Sequence, residues 1–239
     1  MLKKIALVFA LGASLMLTAG AKTRTERKIE KFDRNFNALF EEMDCVGAGA
    51  AVICDGQVAY SKTLGSANLT FDGKLTSDQY LNVLPISSAI PVIAIFQLAD
   101  SGRLSLDADI SEYLGFKVRH PDFPETPITV RMLVSGRSSI SRDNPGFTSV
   151  RYLDQNTNPD YLTVFVPDVK PGTKYNDVPQ TASVAAAIVE KVTGERFDVY
   201  AGKNIFAPAG ISATYDASTV PDDKLVSSYQ WKVKERKYV

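Results

Sequence analysis

The stretch "LPISSAIPVIAIFQLAD", residues 84–100, limits the possible folds more than any other part of this chain. Its Ile90, Val92, Ile93, Ala94, Ile95, Phe96 and Leu98 leave hardly any polar face. A helix that is apolar all round belongs inside a core, so the rest of the chain must supply elements that surround it. The helix is expected from Ser88 to Ser101, closed by Gly102. Two hydroxyls, Ser87 and Ser88, crowd its start, where they can act as a cap or as a nucleophile. A serine at the N-cap satisfies one of the unpartnered N–H groups of a first turn and contributes about 1 kcal/mol. Pro91 is tolerated in such a turn and would break a helix interior. These serines are therefore expected to cap the helix.

Other segments supply the surroundings. In "TRTERKIEKFDRNFNALFEEM", Ile29, Phe32, Phe36, Leu39, Phe40 and Met43 recur at three and four residues, the period of one helical face. Thr23 followed by Glu26 fits a capping box at its start. "GAGAAVICDGQVAYSKTLGSAN" places two β-prone runs around Asp55-Gly56, which predicts an antiparallel hairpin with the opening helix against its apolar face. "LSLDADISEYLG" and "TPITVRMLVSG" each predict a short helix, and "QTASVAAAIVEKVTG" a longer one capped by Gly194. "RDNPGF", "DQNTNPD" and "VPDVKPGTKYNDVP" are loop-rich by their Pro, Asn, Asp and Gly content.

The amino terminus reads differently. Lys3 and Lys4 precede a 15-residue apolar run from Ile5 to Ala19, with Ala19 and Ala21 spaced as a cleavage site. A bilayer span needs about 20 apolar residues, so residues 1–21 are expected to be a signal peptide, leaving residues 22–239 as the folded part, secreted or periplasmic, with no membrane span. Charge is balanced at 27 basic and 27 acidic residues, which gives no support to a nucleic-acid surface. The basic "KVKERKY" near the carboxyl end reads as a solvated edge.

Cys45 and Cys54 stand at the two ends of a predicted strand, about 30 Å apart at ~3.3 Å per residue. A disulfide needs Cα atoms within ~7 Å, so the two are not expected to bond. With one histidine and no CxxC, no metal site or cofactor is expected. That histidine, His120, lies in the Pro-rich "VRHPDFPETP" and is expected on the surface.

Several phrases, in order, resemble the serine β-lactamase and penicillin-binding-protein superfamily, in particular its β-lactamase-related branch of esterases and D-aminopeptidases. They are "GAAVICDGQVAYSKTLGSAN", "IFQLADSGRLSLDADISEYL", "PDFPETPITVRMLV", "PGTKY" and "AAAIVEKVTGERFDVYAGKNIFAPAGISAT", over about residues 38 to 216. The resemblance implies an α+β, β-lactamase/transpeptidase-like fold: an antiparallel sheet flanked by helices, a helical lobe, and a cleft between. It implies acyl transfer through a serine in an S-x-x-K motif, since a hydroxyl needs a base one helical turn away. A second motif, Y-x-N or S-x-N, and a third, K-T-G or H-x-G on a late strand, complete the machinery.

This chain departs from that pattern at every motif. Spacing back from "FQLADSG" puts the nucleophile position on Pro85 and the lysine position on Ser88, and no serine stands three residues before any lysine. The second motif falls on Asp177, Val178 and Pro179. A relative's H-T-S-G is here Gly136 to Ser139, and the segment that would carry the third motif is absent, so the domain is expected to be incomplete at its carboxyl end with only the first two strands of its sheet. Asp177 is a poor substitute base, because a carboxylate of pKa about 4 has little drive to take a serine proton. Three readings remain open: a silent scaffold for a peptide or cell-wall-like ligand, a fragment or half completed by a partner chain, and a hydrolase with rearranged residues.

Overall fold

A computed structural model describes residues 23–70, 73–141, 150–176, 180–229, 231–232 and 237–238. The proposed signal peptide lies outside these residues, as do residues 233–236 of the basic terminal cluster and "RDNPGF". The chain divides into two compact units, Met1–Ser77 and Asp78–Val239.

The first unit is a helix on a small sheet. Helix α1, Arg24–Glu42, starts with the expected capping box: the Glu26 N–H donates to Thr23 Oγ1 at 3.2 Å, and the Thr23 N–H to Glu26 Oε2 at 2.7 Å. Strands β1, Gly47–Cys54, and β2, Gln57–Asn68, pair antiparallel with Cys54 opposite Gln57. Asp55 and Gly56 turn the hairpin with φ of 49° and 73°, left-handed at both positions as a two-residue hairpin requires. Helix α1 lies on this ribbon, with the Phe32 ring edge-on to Tyr60 at 5.1 Å. Tyr60 Oη and Lys62 Nζ donate to Asp33 Oδ1 at 2.9 and 2.8 Å, and Lys62 also reaches Asn37 Oδ1 at 3.0 Å. Gly65 permits the approach of α1, because a Cβ there would sit 2.7 Å from Phe40 Cζ and 2.2 Å from the Val46 carbonyl oxygen.

The sheet has one strand more than expected. A short β3, Gly73–Lys74, continues it in the order β1-β2-β3. Two residues with no apolar periodicity give no strand signal of their own, and β3 exists because β2 runs long enough to offer it an edge. Both cysteines are free thiols, Cys45 just before β1 and Cys54 at its end.

The second unit holds the core. Helix α2, Ala89–Asp100, buries Pro91, Ala94, Ile95 and Leu98. Around it stand α3, Ile110–Leu114, α4, Val130–Val134, α5, Gln180–Thr193, and α6, Phe197–Ala201. Helix α5 supplies Val184, Ala185, Ile188 and Val189 to the same cluster. Each large aliphatic side chain so buried contributes roughly 1.5–3 kcal/mol. Asp109 and Thr129 cap α3 and α4 by accepting from Ser111 N–H and Met132 N–H, and Gly194 ends α5 with φ 76°. After α6 a π turn, Gly202–Phe206, leaves the Asn204 carbonyl to accept from Gln97 Nε2 at 3.0 Å, which ties it to α2. Strands β4, Trp231–Lys232, and β5, Lys237–Tyr238, form a separate two-stranded ribbon.

Two expectations are corrected here. Helix α2 is not buried all round: Ile93 and Phe96 are 44% and 45% exposed, since the core elements of its unit gather on the side of Ala94, Ile95 and Leu98. His120 is not a surface residue but 1% exposed. Its ring lies 5.1 Å from both Phe123 and Phe165, Nδ1 accepts the Asp122 N–H at 3.1 Å, and Nε2 therefore carries the proton it donates to the Val166 carbonyl at 2.9 Å. A neutral imidazole with both nitrogens satisfied is compatible with burial, and the loop's proline content gave no sign of it.

Candidate functional site

The site begins where the chain enters α2. Leu84, at φ 45°, leads into a 3₁₀ turn, Leu84–Ser88, that runs on into the α-helix. This turn overturns the capping expectation for Ser87 and Ser88. The Ala89 N–H already bonds the Ile86 and Ser87 carbonyls, Ser88 itself has helical backbone angles, and its side chain makes no capping hydrogen bond. Ser88 thus sits inside the helical run and not at its cap, and its hydroxyl makes no capping bond. The turn is pinned from the far end of the unit, where the Tyr215 hydroxyl donates to the Ser87 carbonyl. Burial pushes the Tyr215 phenol up to about 12, which keeps it a donor, and Phe197 and Phe206 flank its ring at 5.0 and 6.2 Å.

Ser88 lines a cavity of about 170 Å³ with Val92 of α2, Val134 of α4, Ser135, Gly136 and Tyr175 of the loops, and Thr181, Ala182 and Ala185 of α5. Its loop wall is held by backbone pairing. The Asn176 N–H donates to the Gly136 carbonyl at 2.6 Å, the Gly172 N–H to the Arg137 carbonyl at 2.7 Å, and Asn176 Nδ2 to the Ile140 carbonyl at 2.9 Å. Gly136, at φ 67°, lets the Tyr175 ring close over it: a Cβ there would lie 2.8 Å from Tyr175 Cε2. Close by, Ser139 takes φ 62° and buries an Oγ that has no partner among the described residues.

Of the sequence-derived positions, Ser88 lines this cavity and Pro85 does not. Asp177, Val178 and Pro179 lie outside the described residues. Sequence reasoning missed Tyr175 and Tyr215; the glycine after the C-cap of α4, Gly136, was the one signal that could have marked the first. Among the described lining residues there is no lysine, histidine or carboxylate. The arrangement offers hydroxyls and an apolar wall, which can hold a polar group by hydrogen bonds and has no amine to take a serine proton.

Comparison with known proteins places this chain in a family. Residues 32–237 match the family model described as beta-lactamase. The chain therefore belongs to the beta-lactamase family, the β-lactamase-related serine hydrolases. It is 27% identical over 202 residues to penicillin-binding protein 4 of Amycolatopsis lactamdurans, covering 81% of this chain and 50% of that protein. With lovastatin esterase of Penicillium rubens it shares 30% over 208 residues, 75% of this chain and 51% of the esterase. The octameric penicillin-binding protein homologue from Pyrococcus abyssi superposes with a TM-score of 0.71 at 23% identity, covering 88% of this chain and 50% of its own. A class C beta lactamase gives 0.72 at 19% identity, over 92% and 59% of the two chains. The β-lactamase/transpeptidase-like fold is thus the fold of this chain, which spans about half the length of the curated relatives it matches.

Proposed function

We propose that this chain is an exported, catalytically silent member of its family, whose cavity binds a peptide or cell-wall-like ligand without cleaving it. One sequence count supports the reading: spacing back from "FQLADSG" puts the family's lysine position on Ser88, a residue of the cavity wall, and its nucleophile position on Pro85, which has no hydroxyl. A serine hydroxyl without an adjacent amine is a weak nucleophile, and a proline ring is none. The test is exposure of the purified chain to a fluorescent penicillin and to a fluorophosphonate, followed by intact mass. No adduct is expected; a stoichiometric adduct at Ser87 or Ser88, lost on substitution by alanine, overturns the silence. Export rests on the apolar run after Lys3 and Lys4. Expressed with its own leader in a Gram-negative host, the chain is expected in the periplasm with its amino terminus near Lys22; an uncleaved cytosolic product overturns export.

A second reading, a half completed by a partner chain, is favoured by the first unit, where Ala67 and Leu75 are the only buried residues among those described. It predicts an aggregated or non-cooperatively melting monomer, against a sharp thermal transition at monomeric mass for the silent scaffold.

A further inference from the structure

Two hydroxyls in the cavity wall stand uncommitted. Ser88 Oγ makes no capping bond, because the 3₁₀ entry to α2 gives Ser88 helical backbone angles, and it has no hydrogen-bond partner among the described residues. Tyr175 is 68% exposed, and its phenol has no hydrogen-bond partner among the described residues. The position of Tyr175 is nevertheless fixed, because its ring rests on Gly136 and its neighbour Asn176 is bonded on both sides, to the Gly136 and Ile140 carbonyls. The same cavity is lined by Val92, Val134 and Ala185. A volume of about 170 Å³ is slightly larger than a cavity that takes benzene, so it seats one compact group of a peptide or cell-wall-like ligand.

We infer that this cavity is a reversible binding site for one small, uncharged polar group, a carboxamide or its equivalent, with Ser88 and Tyr175 as the hydrogen-bond partners. Neutral hydroxyls exchange hydrogen bonds with an amide, in which both donor and acceptor are satisfied. A carboxylate brought against Val92, Val134 and Ala185 would lose hydration that two hydroxyls do not replace. The same wall that lacks an amine for catalysis thus selects against an anionic ligand. This inference rests on the silent reading above, since it requires the bound amide to stay intact.

The test compares two probes of equal size, acetamide and acetate, titrated into the ¹⁵N-labelled full chain. The amide is expected to give saturable shifts at Ser88, Gly136, Tyr175 and Thr181, and to bind at least about tenfold tighter than the carboxylate. Ser88→Ala and Tyr175→Phe are each expected to weaken it about fivefold, the worth of one hydrogen bond of about 1 kcal/mol. Both changes remove a hydroxyl that holds nothing else, so the spectra should remain those of the folded chain. Gly136→Ala, which pushes on the Tyr175 ring, should weaken binding as well. Equal binding of the two probes, no saturable binding, or indifference to both hydroxyls overturns the inference. Cleavage of the amide or acetylation of Ser88, read by mass in the same samples, would sink the silent reading instead, so the two failures are distinguishable.

Discussion

The two units of this chain turn similar sequence signals into different amounts of burial. Helix α1 has a regular apolar face over nineteen residues, yet none of them is buried, and Phe32, Leu39 and Met43 are 40%, 51% and 61% exposed. Helix α2 has almost no periodicity, yet Ala94, Ile95 and Leu98 are at most 1% exposed. The difference lies in the number of partners. Helix α1 meets a narrow ribbon, while α2 meets α5 and the cluster that α3, α4 and α6 complete. Periodicity says which face of a helix wants cover; only the surrounding elements decide how much it receives.

That contrast can be broken or sharpened by experiment. The largest expected effect is in the core: Leu98→Ala should lower stability by about 3 kcal/mol in urea titrations, whereas Phe36→Ala, on the half-covered face of α1, should cost about 1 kcal/mol. Equal losses would show that the first unit is as tightly bound as the second. His120→Ala should cost about 2 kcal/mol by the same measurement, because it empties a buried site and strands the Val166 carbonyl. A surface histidine would cost nothing measurable.

Ser139→Gly should act in the opposite direction and stabilise by about 1 kcal/mol, since it relieves a left-handed serine and removes a buried hydroxyl without a partner. A rise in melting temperature of a few degrees would confirm it. The smallest effect concerns pH. Hydrogen bonds from Lys62 and then Tyr60 hold the Asp33 carboxyl below its ordinary 3.8. A depressed carboxyl contributes stability that is present above the unfolded value and is lost as pH falls through the folded one. Acid titration of tyrosine fluorescence or circular dichroism should therefore show a transition below about pH 4 that Asp33→Asn removes.

Much of the local structure was legible in the residues themselves. Thr23 and Glu26 form their capping box, Asp55-Gly56 turns the hairpin, and Gly194 ends α5, because each depends on contacts within about four residues. The family was legible too, from ordered phrases that the model match over residues 32–237 bears out. The site was half legible. Spacing put Ser88 at a motif position, and it does line the cavity, but its expected role as a cap failed because the chain approaches α2 through a helical turn of its own.

The sequence alone thus determined the capping box at Thr23, the hairpin turn at Asp55-Gly56 and the end of α5 at Gly194, since short-range hydrogen bonding is written in neighbouring positions. Tertiary structure decided which groups lie inside. His120 is enclosed by Phe123 and by Phe165, 45 positions away in the chain, α2 leaves Ile93 and Phe96 exposed among the described residues, and Tyr175 and Ser88 line one cavity. The physical reason is that burial depends on contacts between segments far apart in sequence, and no single segment specifies its own surroundings.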